Sequence, residues 1–427
     1  MNHNQYDIPL TLPVTAQDRF EYPLRYVIHV VVSFDQALEQ KAMARAVRLS
    51  LDAEPILGCH FVEDNPQPYW QRFNNPDDMQ WFECISADEK DAVIEHFVKR
   101  PFFHEGQQIN VCLIHAADCH TLVVKMSHGC CDAGGLKEYL ALLADIYTHL
   151  LKNPGFCTQP HIQGRRDQKN YFAARGINDP LALFDPQRQP LPPTWAFPWH
   201  GTEKNKINMS MRRLTDGIFD RLINFGREHQ VTVTVVLLAA MYRALFEMLE
   251  PPIGEKMDIN VSVDLRHAFT GHLDQAISNL SVGIHPRISR MAKESFAETL
   301  KRASVALEEL KQNRAESIDA IGLEAWAMTD YSTFLEQLRA ILEWSLEIGK
   351  NNPLLSNVGV IPPLHFGQSR ATDAYMLTPV VFPPSFMLGV TTYDRTMTLQ
   401  CSFGEPGHSR EDVERFMDLM EKELRSL

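Results

Sequence analysis

The 427-residue chain predicts a mixed α/β (α+β) fold in two halves. Three observations carry this expectation. β-Branched apolar runs and amphipathic stretches of helical period alternate along the chain. A proline-rich stretch over 153–200 interrupts them, with prolines at 180, 186, 190, 192, 193 and 198. Proline at that density removes backbone donors and breaks helices and strands. Beyond it the strand-and-helix pattern starts again. The expected division is 1–175, a connection over 176–205, and 206–427, in keeping with a prior of roughly 150 residues per domain.

Residues 25–34 (RYVIHVVVSF) are apolar and β-branched and read as a strand. Asp35 is placed to cap a helix with Leu38, Ala42, Ala46 and Leu49 on one face. A short helix is expected over 91–99. Residues 108–116 and 120–126 read as two strands joined by a short turn. A long helix follows, because Leu136, Tyr139, Leu140, Leu143, Ile146, Tyr147 and Leu150 recur at helical spacing. In the connection, Trp195, Phe197 and Trp199 predict a segment packed onto the body. The second half opens with a strand near 208–214, then helices over 216–229 and 232–249 and a strand over 256–264. Helical stretches are expected over 293–313 and 317–349. Residues 387–403 read as a hairpin turning at Asp394–Arg395, and 411–427 as an amphipathic helix.

The formal net charge is −13, from 41 Lys+Arg and 54 Asp+Glu. That balance argues against a general nucleic-acid binder, which needs a basic face for the phosphates. It also gives no attraction to anionic membranes. The N-terminus lacks a basic start followed by an apolar stretch. The most apolar run, from Val231 into AAMYRALF, carries Thr232, Thr234 and Arg243, too polar for a spanning helix. A cytoplasmic protein with no membrane span is expected. The eight cysteines (59, 84, 112, 119, 130, 131, 157 and 401) form no CxxC pair and are expected to be reduced.

The most distinctive local sequence is Ser127-His128-Gly129-Cys130-Cys131-Asp132-Ala133-Gly134-Gly135, between a strand and a helix. An imidazole there can act as general base toward an attacking hydroxyl or amine. The carboxylate four residues on can either hold the loop or orient the ring. Gly134 and Gly135 permit a tight turn and a close approach of ligand to backbone. The spacing itself is common here: His60 with Asp64 and His408 with Asp412 share it. Only His128 combines it with an apolar strand before and glycines and a helix after.

Residues 100–135, RPFFHEGQQINVCLIHAADCHTLVVKMSHGCCDAGG, resemble the CoA-dependent acyltransferase superfamily. That group contains condensation domains, plant BAHD acyltransferases, alcohol acetyltransferases and chloramphenicol acetyltransferase. Its members share a His-x-x-x-Asp (HxxxD) motif, and condensation-like members place a Pro-Phe segment before it, as Pro101-Phe102 stands here. Further segments are similar in the expected order: EPILGCHFVED (54–64), HQVTVTVVLLAAMYRAL (229–245), VSVDLRHAF (261–269), SNLSVG (278–283) and SNVGVI (356–361). Ser127 stands where condensation domains carry a first His, and Ala133 where Gly follows the Asp; Ala133 is unfavourable there if the backbone needs positive φ. His365-Phe366-Gly367 is at most a weak echo of the plant BAHD signature.

The resemblance implies two chloramphenicol-acetyltransferase-like lobes forming a pseudo-dimer around a central tunnel. It implies a stand-alone acyltransferase that moves an acyl group from a thioester to an alcohol or amine, with His128 as general base. The thioester is acyl-CoA or the phosphopantetheine arm of an acyl carrier protein, taken as substrate with no bound cofactor or metal. It further implies that Asp132 pairs with Arg266, with Gly134 beside them at the site. Ser356 and Asn357 are candidate donors to the oxyanion. Lys204, Lys206, Arg212, Arg213, Arg287 and Arg290 are the cations that a mouth for anionic coenzyme A would bring together.

Three other readings stay open. One is a catalytically inactive condensation-like binding protein that retains the tunnel, with Ser127 and Ala133 as marks of decay. Another makes Cys130 or Cys131 a nucleophile beside His128. The third is a metal hydrolase using His115, Asp118, His120 and His128, although these residues show no zinc spacing.

Overall fold

A computed structural model describes residues 8–116, 120–188, 191–202, 204–215, 217–269 and 275–427. The first half contributes β1 (Thr11–Pro13), α1 (Ala16–Glu21), β2 (Val27–Phe34), α2 (Gln40–Ala53), β3 (Cys59–Val62) and β4 (Tyr69–Arg72). It continues through β5 (Phe82–Ser86), α3 (Lys90–Lys99), β6 (Ile109–His115), β7 (His120–Ser127) and α4 (Ala133–Lys152). The connection holds a short α5 (Lys169–Ala174), and β8 (Lys204–Leu214), α6 (Ile218–Glu228) and α7 (Val233–Leu249) open the second half. Then come β9 (Lys256–Asp258), β10 (Asn260–Asp264), β11 (Ser281–Ile284), β12 (Arg287–Ser289), α8 (Phe296–Gln312), α9 (Ala315–Trp326) and α10 (Tyr331–Ile348). The chain closes with β13 (Leu354–Val360), β14 (His365–Phe366), β15 (Ser369–Leu377), β16 (Met387–Tyr393), β17 (Thr396–Pro406) and α11 (Arg410–Arg425).

Each lobe is built on a six-stranded sheet. The first has the order β14-β15-β2-β7-β6-β5, the second β11-β10-β13-β16-β17-β8. β2 and β7 pair antiparallel from Val27↔Ser127 to Phe34↔His120, and β6 pairs antiparallel with β7 beyond it. Both faces of β7 are covered. Leu122, Val124 and Met126 enter the main core beneath α2 and α4, while Val123 packs with Val31, Cys112, Ile114 and Phe97 under α3. A strand buried on both faces reads as a continuous apolar run, which is why these segments stand out in the sequence. Lys125 breaks the run. It is 1% exposed and its ammonium donates to the Phe97 and Arg100 carbonyls at 2.6 and 2.5 Å.

α4 buries its whole stripe of Leu136, Tyr139, Leu140, Leu143, Ile146, Tyr147 and Leu150. At about 1.5–3 kcal/mol per fully buried large apolar side chain, this anchors the end of the helix that begins at the motif. α7 is the corresponding core helix of the second lobe, buried from Val235 to Met248 along most of its length. No single described helix is long and apolar enough to cross a membrane, and α6 and α7, which pass that test only together, meet at 100°.

One segment crosses the expected division at 206. β15 lies late in the sequence but pairs antiparallel with β2 (Ala374↔Val32, Leu377↔His29) and so belongs to the first sheet. β16 and β17 then return to the second, turning at Asp394 and Arg395, both in the left-handed region at φ 40° and 68°. In the connection, Trp195 and Phe197 are buried in the second core.

Three local expectations are corrected. Glu39, not Asp35, caps α2, accepting from the Lys41 and Ala42 amides (3.2 and 2.6 Å). Asp35 instead receives the Arg370 amide at 2.8 Å, tying the entry loop to the crossing segment. The strand expected over 256–264 divides at Ile259: β9 pairs with β12, and β10 enters the main sheet. The stretch 317–349 is two helices, broken over 327–330. A broken helix leaves carbonyls without partners, and Arg19 of the first lobe binds two of them, Ala327 (2.8 Å) and Thr329.

Candidate active site

The chain turns as soon as β7 ends. The Cys130 amide donates to the Ser127 carbonyl (3.2 Å), and the His128 amide donates to the Tyr26 carbonyl (2.9 Å) just ahead of β2. The backbone of His128 is therefore fixed by the sheet. Gly129 packs against Tyr22, where a Cβ would stand 3.0 Å from the tyrosine Cα, so a larger residue would fit only if Tyr22 gave way by a few tenths of an ångström. Cys130 and Cys131 are fully buried. Burial pushes the Cys130 thiol up to about 12 and raises that of Cys131 as well. A neutral, enclosed thiol is a poor nucleophile, which removes the basis for an acyl-cysteine at either position.

Asp132 caps α4. Its Oδ1 accepts the Gly135 amide (2.8 Å), and its Oδ2 accepts the Leu280 amide (2.7 Å) and Arg266 Nη1 (2.9 Å). Burial alone would raise this carboxyl. The charge of Arg266, with the hydrogen bonds from Arg266, Gly135 and Leu280, outweighs burial and holds it below the usual carboxylate range. Arg266 follows β10 of the second lobe. It also meets Asp264 (3.2 Å), Glu138 (3.1 Å) and the Ser278 carbonyl (2.8 Å). Both oxygens of Asp132 are thus committed to the loop and to the second lobe. Between the two roles open to it, it holds the loop and does not orient the ring.

Ala133 is the first helical residue and does not take positive φ, so the replacement of Gly costs no backbone strain. The glycines serve side-chain and backbone packing. A Cβ on Gly134 would meet Arg266 Nη1 at 2.7 Å, and one on Gly135 would meet the Ser278 carbonyl at 2.9 Å. What approaches the helix start is the second lobe, not the tight turn expected from sequence.

The His128 side chain is 16% exposed. Its Nδ1 faces Asn279 Nδ2 at 3.1 Å and Glu21 Oε2 at 3.5 Å, and Asn279 Nδ2 lies 3.1 Å from the His128 carbonyl as well. Among the described residues Nε2 has no hydrogen-bond partner. Glu21 is raised by burial, partly offset by His128, with Asp132 raising it further. α1, which ends at Glu21, is fastened to the motif loop. Asp18, fully buried, takes both terminal nitrogens of Arg166 (2.7 and 2.8 Å) and Trp70 Nε1 (2.9 Å). Arg166 also donates to the Cys130 and Ile277 carbonyls (both 3.1 Å). Glu21, Arg166 and Asp18 carry no motif spacing, and nothing local in the sequence marks them. Asn279 lies in the SNLSVG segment, which the resemblance brings forward without a role for its amide.

Ser356 and Asn357 lie on β13, part-buried in the second sheet. Ser356 Oγ accepts from Ser262 (3.3 Å), and Asn357 Nδ2 donates to Thr234 Oγ1 (3.0 Å). Among the described residues no hydrogen bond connects either of them to His128. Nor do the basic residues expected at a mouth stand as free charges. Lys206 meets Glu405, Arg212 meets Glu414 and Asp418, Arg213 meets Asp373, Arg287 meets Asp258, and Arg290 meets Glu250. The Lys204 side chain lies outside the described residues. His115 and His120 face each other across the β6–β7 pair with rings 4.6 Å apart. His128 is at the other end of β7, roughly 25 Å away at about 3.3 Å per strand residue, so the proposed metal set does not come together. Asp118 lies outside the described residues, and the described ones contain no group of three His, Cys, Asp or Glu that could hold a metal ion.

No family model and no curated protein sequence matches this chain. Solved structures do. Polyketide synthase associated protein 5 from Mycobacterium tuberculosis is 12% identical with a TM-score of 0.67, the match covering 96% of each chain. The first condensation domain of the calcium-dependent antibiotic synthetase is 14% identical with a TM-score of 0.68, over 98% of this chain and 96% of that one. Trichothecene 15-O-acetyltransferase from Fusarium sporotrichioides is 10% identical with a TM-score of 0.70, over 97% and 94%. The chain therefore has the two-lobed, pseudo-dimeric fold of the condensation domain and of the acetyltransferase that it matches.

Proposed function

We propose that this protein transfers an acyl group from a thioester to an alcohol or amine. The observation that carries the reading is His128. Its backbone is pinned to the first sheet, its Nδ1 is held by side chains of both halves, and its Nε2 is left without a partner. In the proposed step Nε2 takes the acceptor's proton as the acceptor oxygen or nitrogen attacks the thioester carbonyl. The tetrahedral intermediate collapses with loss of the C–S bond, and the same proton passes to the departing thiolate. Ser356 and Asn357 are the proposed donors to the oxyanion, reaching it by side-chain rotation away from Ser262 and Thr234. Asp132 and Arg266 tie the motif loop to the second lobe. The proposed donor is acyl-CoA or an acyl carrier protein presenting its phosphopantetheine arm.

The test is thiol release from acetyl-CoA and from an acylated carrier protein, each with a panel of small alcohols and amines, by wild type and His128→Ala. The expected result is release that depends on the acceptor and falls about 10²–10⁴-fold in the variant. Equal release by the two proteins would overturn the His128 mechanism. Tight binding of a thioester without turnover in wild type would establish the inactive binding protein instead.

A further inference from the structure

The neutral imidazole of His128 can serve as a base at Nε2 only if its proton is on Nδ1. Two polar groups reach Nδ1, and they ask for opposite things. Asn279 presents an amide nitrogen at 3.1 Å. Its orientation is fixed, because the same nitrogen lies 3.1 Å from the His128 carbonyl, and turning the amide would set oxygen against oxygen. An amide donor at Nδ1 makes that nitrogen an acceptor and moves the ring proton to Nε2, the tautomer that is useless as a base. The carboxyl of Glu21, 3.5 Å from Nδ1, asks for the reverse when it is ionised.

The motif's own carboxylate does not decide the matter. Asp132 has no oxygen to spare, with Gly135, Leu280 and Arg266 on its two atoms. Among the described residues Glu21 is the one acceptor within reach of Nδ1. We propose that Glu21 is the positioning residue of this site, whose ionised carboxyl holds the proton on His128 Nδ1 and so frees Nε2 to act as base. This inference rests on the acyl-transfer reading.

The construction around Glu21 supports the role. α1 starts with a reciprocal cap, Thr15 receiving the Asp18 amide and Asp18 receiving the Thr15 amide (both 3.1 Å). The buried pair of Asp18 with Arg166, which also binds the Cys130 carbonyl, locks the helix bearing Glu21 to the loop bearing His128. The side chains of Glu21 and His128 are 18% and 16% exposed, so their contact is little screened. Burial raises the Glu21 carboxyl and the charge of Asp132 adds to this, while His128 itself pulls it back toward the ionised form; Tyr26 is the other ionisable group beside it. In the reaction the acceptor's proton moves to Nε2, and Glu21 faces the resulting imidazolium. When that proton passes to the departing thiolate, the Nδ1 proton stays where it was and Glu21 is unchanged.

The experiment is ¹⁵N NMR of histidine-labelled protein at a pH where the ring is neutral, with the His128 signals assigned by their absence in His128→Ala. Wild type is expected to show a protonated Nδ1 and an unprotonated Nε2. Glu21→Gln is expected to reverse this, and to lower kcat about 10²-fold with KM little changed. Asn279→Ala should keep the wild-type tautomer. A proton on Nε2 in wild type, a measurement that needs no variant, overturns the proposal. So does an identical tautomer in wild type and Glu21→Gln. A Glu21-dependent tautomer in a protein that consumes no thioester would sink the acyl-transfer reading and leave the pairing standing. Thioester turnover that needs His128 but is untouched in Glu21→Gln would do the opposite.

Discussion

Replacing Asp132 by Asn keeps the size of the side chain and removes its charge. The carboxylate accepts three hydrogen bonds on two oxygens. The amide retains one oxygen, which can serve the Gly135 cap; its NH₂ then faces the Leu280 amide and Arg266, both donors. A buried amide left unpaired costs about 1–3 kcal/mol. Removing one partner of a buried ion pair costs about 3–5 kcal/mol, but Arg266 keeps Asp264 and Glu138 and so loses less than that. The expected loss in urea unfolding at pH 7 is about 3–4 kcal/mol. Arg266→Met should cost about as much, since it strands Asp132, and the double variant should cost at least about 1 kcal/mol less than the two single losses together. The pH dependence has a definite sign. A carboxyl held below its ordinary value in the fold contributes its full stabilisation above the unfolded value of about 4, and loses it as the pH falls further. The gap between wild type and Asp132→Asn should therefore be complete at pH 7 and narrow only below about pH 4. A loss under about 1 kcal/mol at pH 7, or a gap independent of pH down to the acid transition, would refute the account of Asp132 as an ionised clamp.

Two glycines give opposite expectations for the same change. Gly134→Ala sets a methyl against an Arg266 guanidinium that its acidic partners hold in place, and should destabilise by about 1–3 kcal/mol, whereas Gly322→Ala in α9 meets nothing within 4 Å and should stabilise by about 0.5–1 kcal/mol; thermal melts of both check this. Alkylation followed by mass spectrometry should label exposed Cys157 quickly and leave Cys130 and Cys131 unmodified until the protein unfolds; rapid labelling of either would contradict their burial. Burial pushes the Glu138 carboxyl up to about 7, against the pull of Arg266. A carboxyl raised in the fold contributes stability below its unfolded value and loses it as the pH rises through the folded one. Glu138→Gln should therefore flatten the fall in melting temperature between about pH 4.5 and pH 7, and unchanged slopes would count against the assignment.

What the sequence makes legible and what it hides follow from the range of the interactions. β2, β7 and α4 are visible because their burial is written into neighbouring residues, as apolar runs or a helical stripe. β15 carries its own strand pattern, but nothing local tells it to leave its lobe and pair with β2. The motif shows the same limit more sharply. Of the four histidines with an aspartate four residues on, His3 lies outside the described residues, and the spacing cannot rank the other three, His60, His128 and His408. His408 has both ring nitrogens 2.8 Å from backbone carbonyls, of Pro198 and Ser385, and braces the connection against the second lobe. His60 packs its ring on Phe73. At His128 alone of the three, one nitrogen meets a carboxyl and an amide from distant segments while the other is left open. The difference lies in Glu21 and Asn279, brought to the ring by the Asp18–Arg166 pair and by the docking of residues 277–280 on the motif loop. In the proposed mechanism His128 owes its base chemistry to what is folded against its second nitrogen, and that partner has no reason to be near it in sequence.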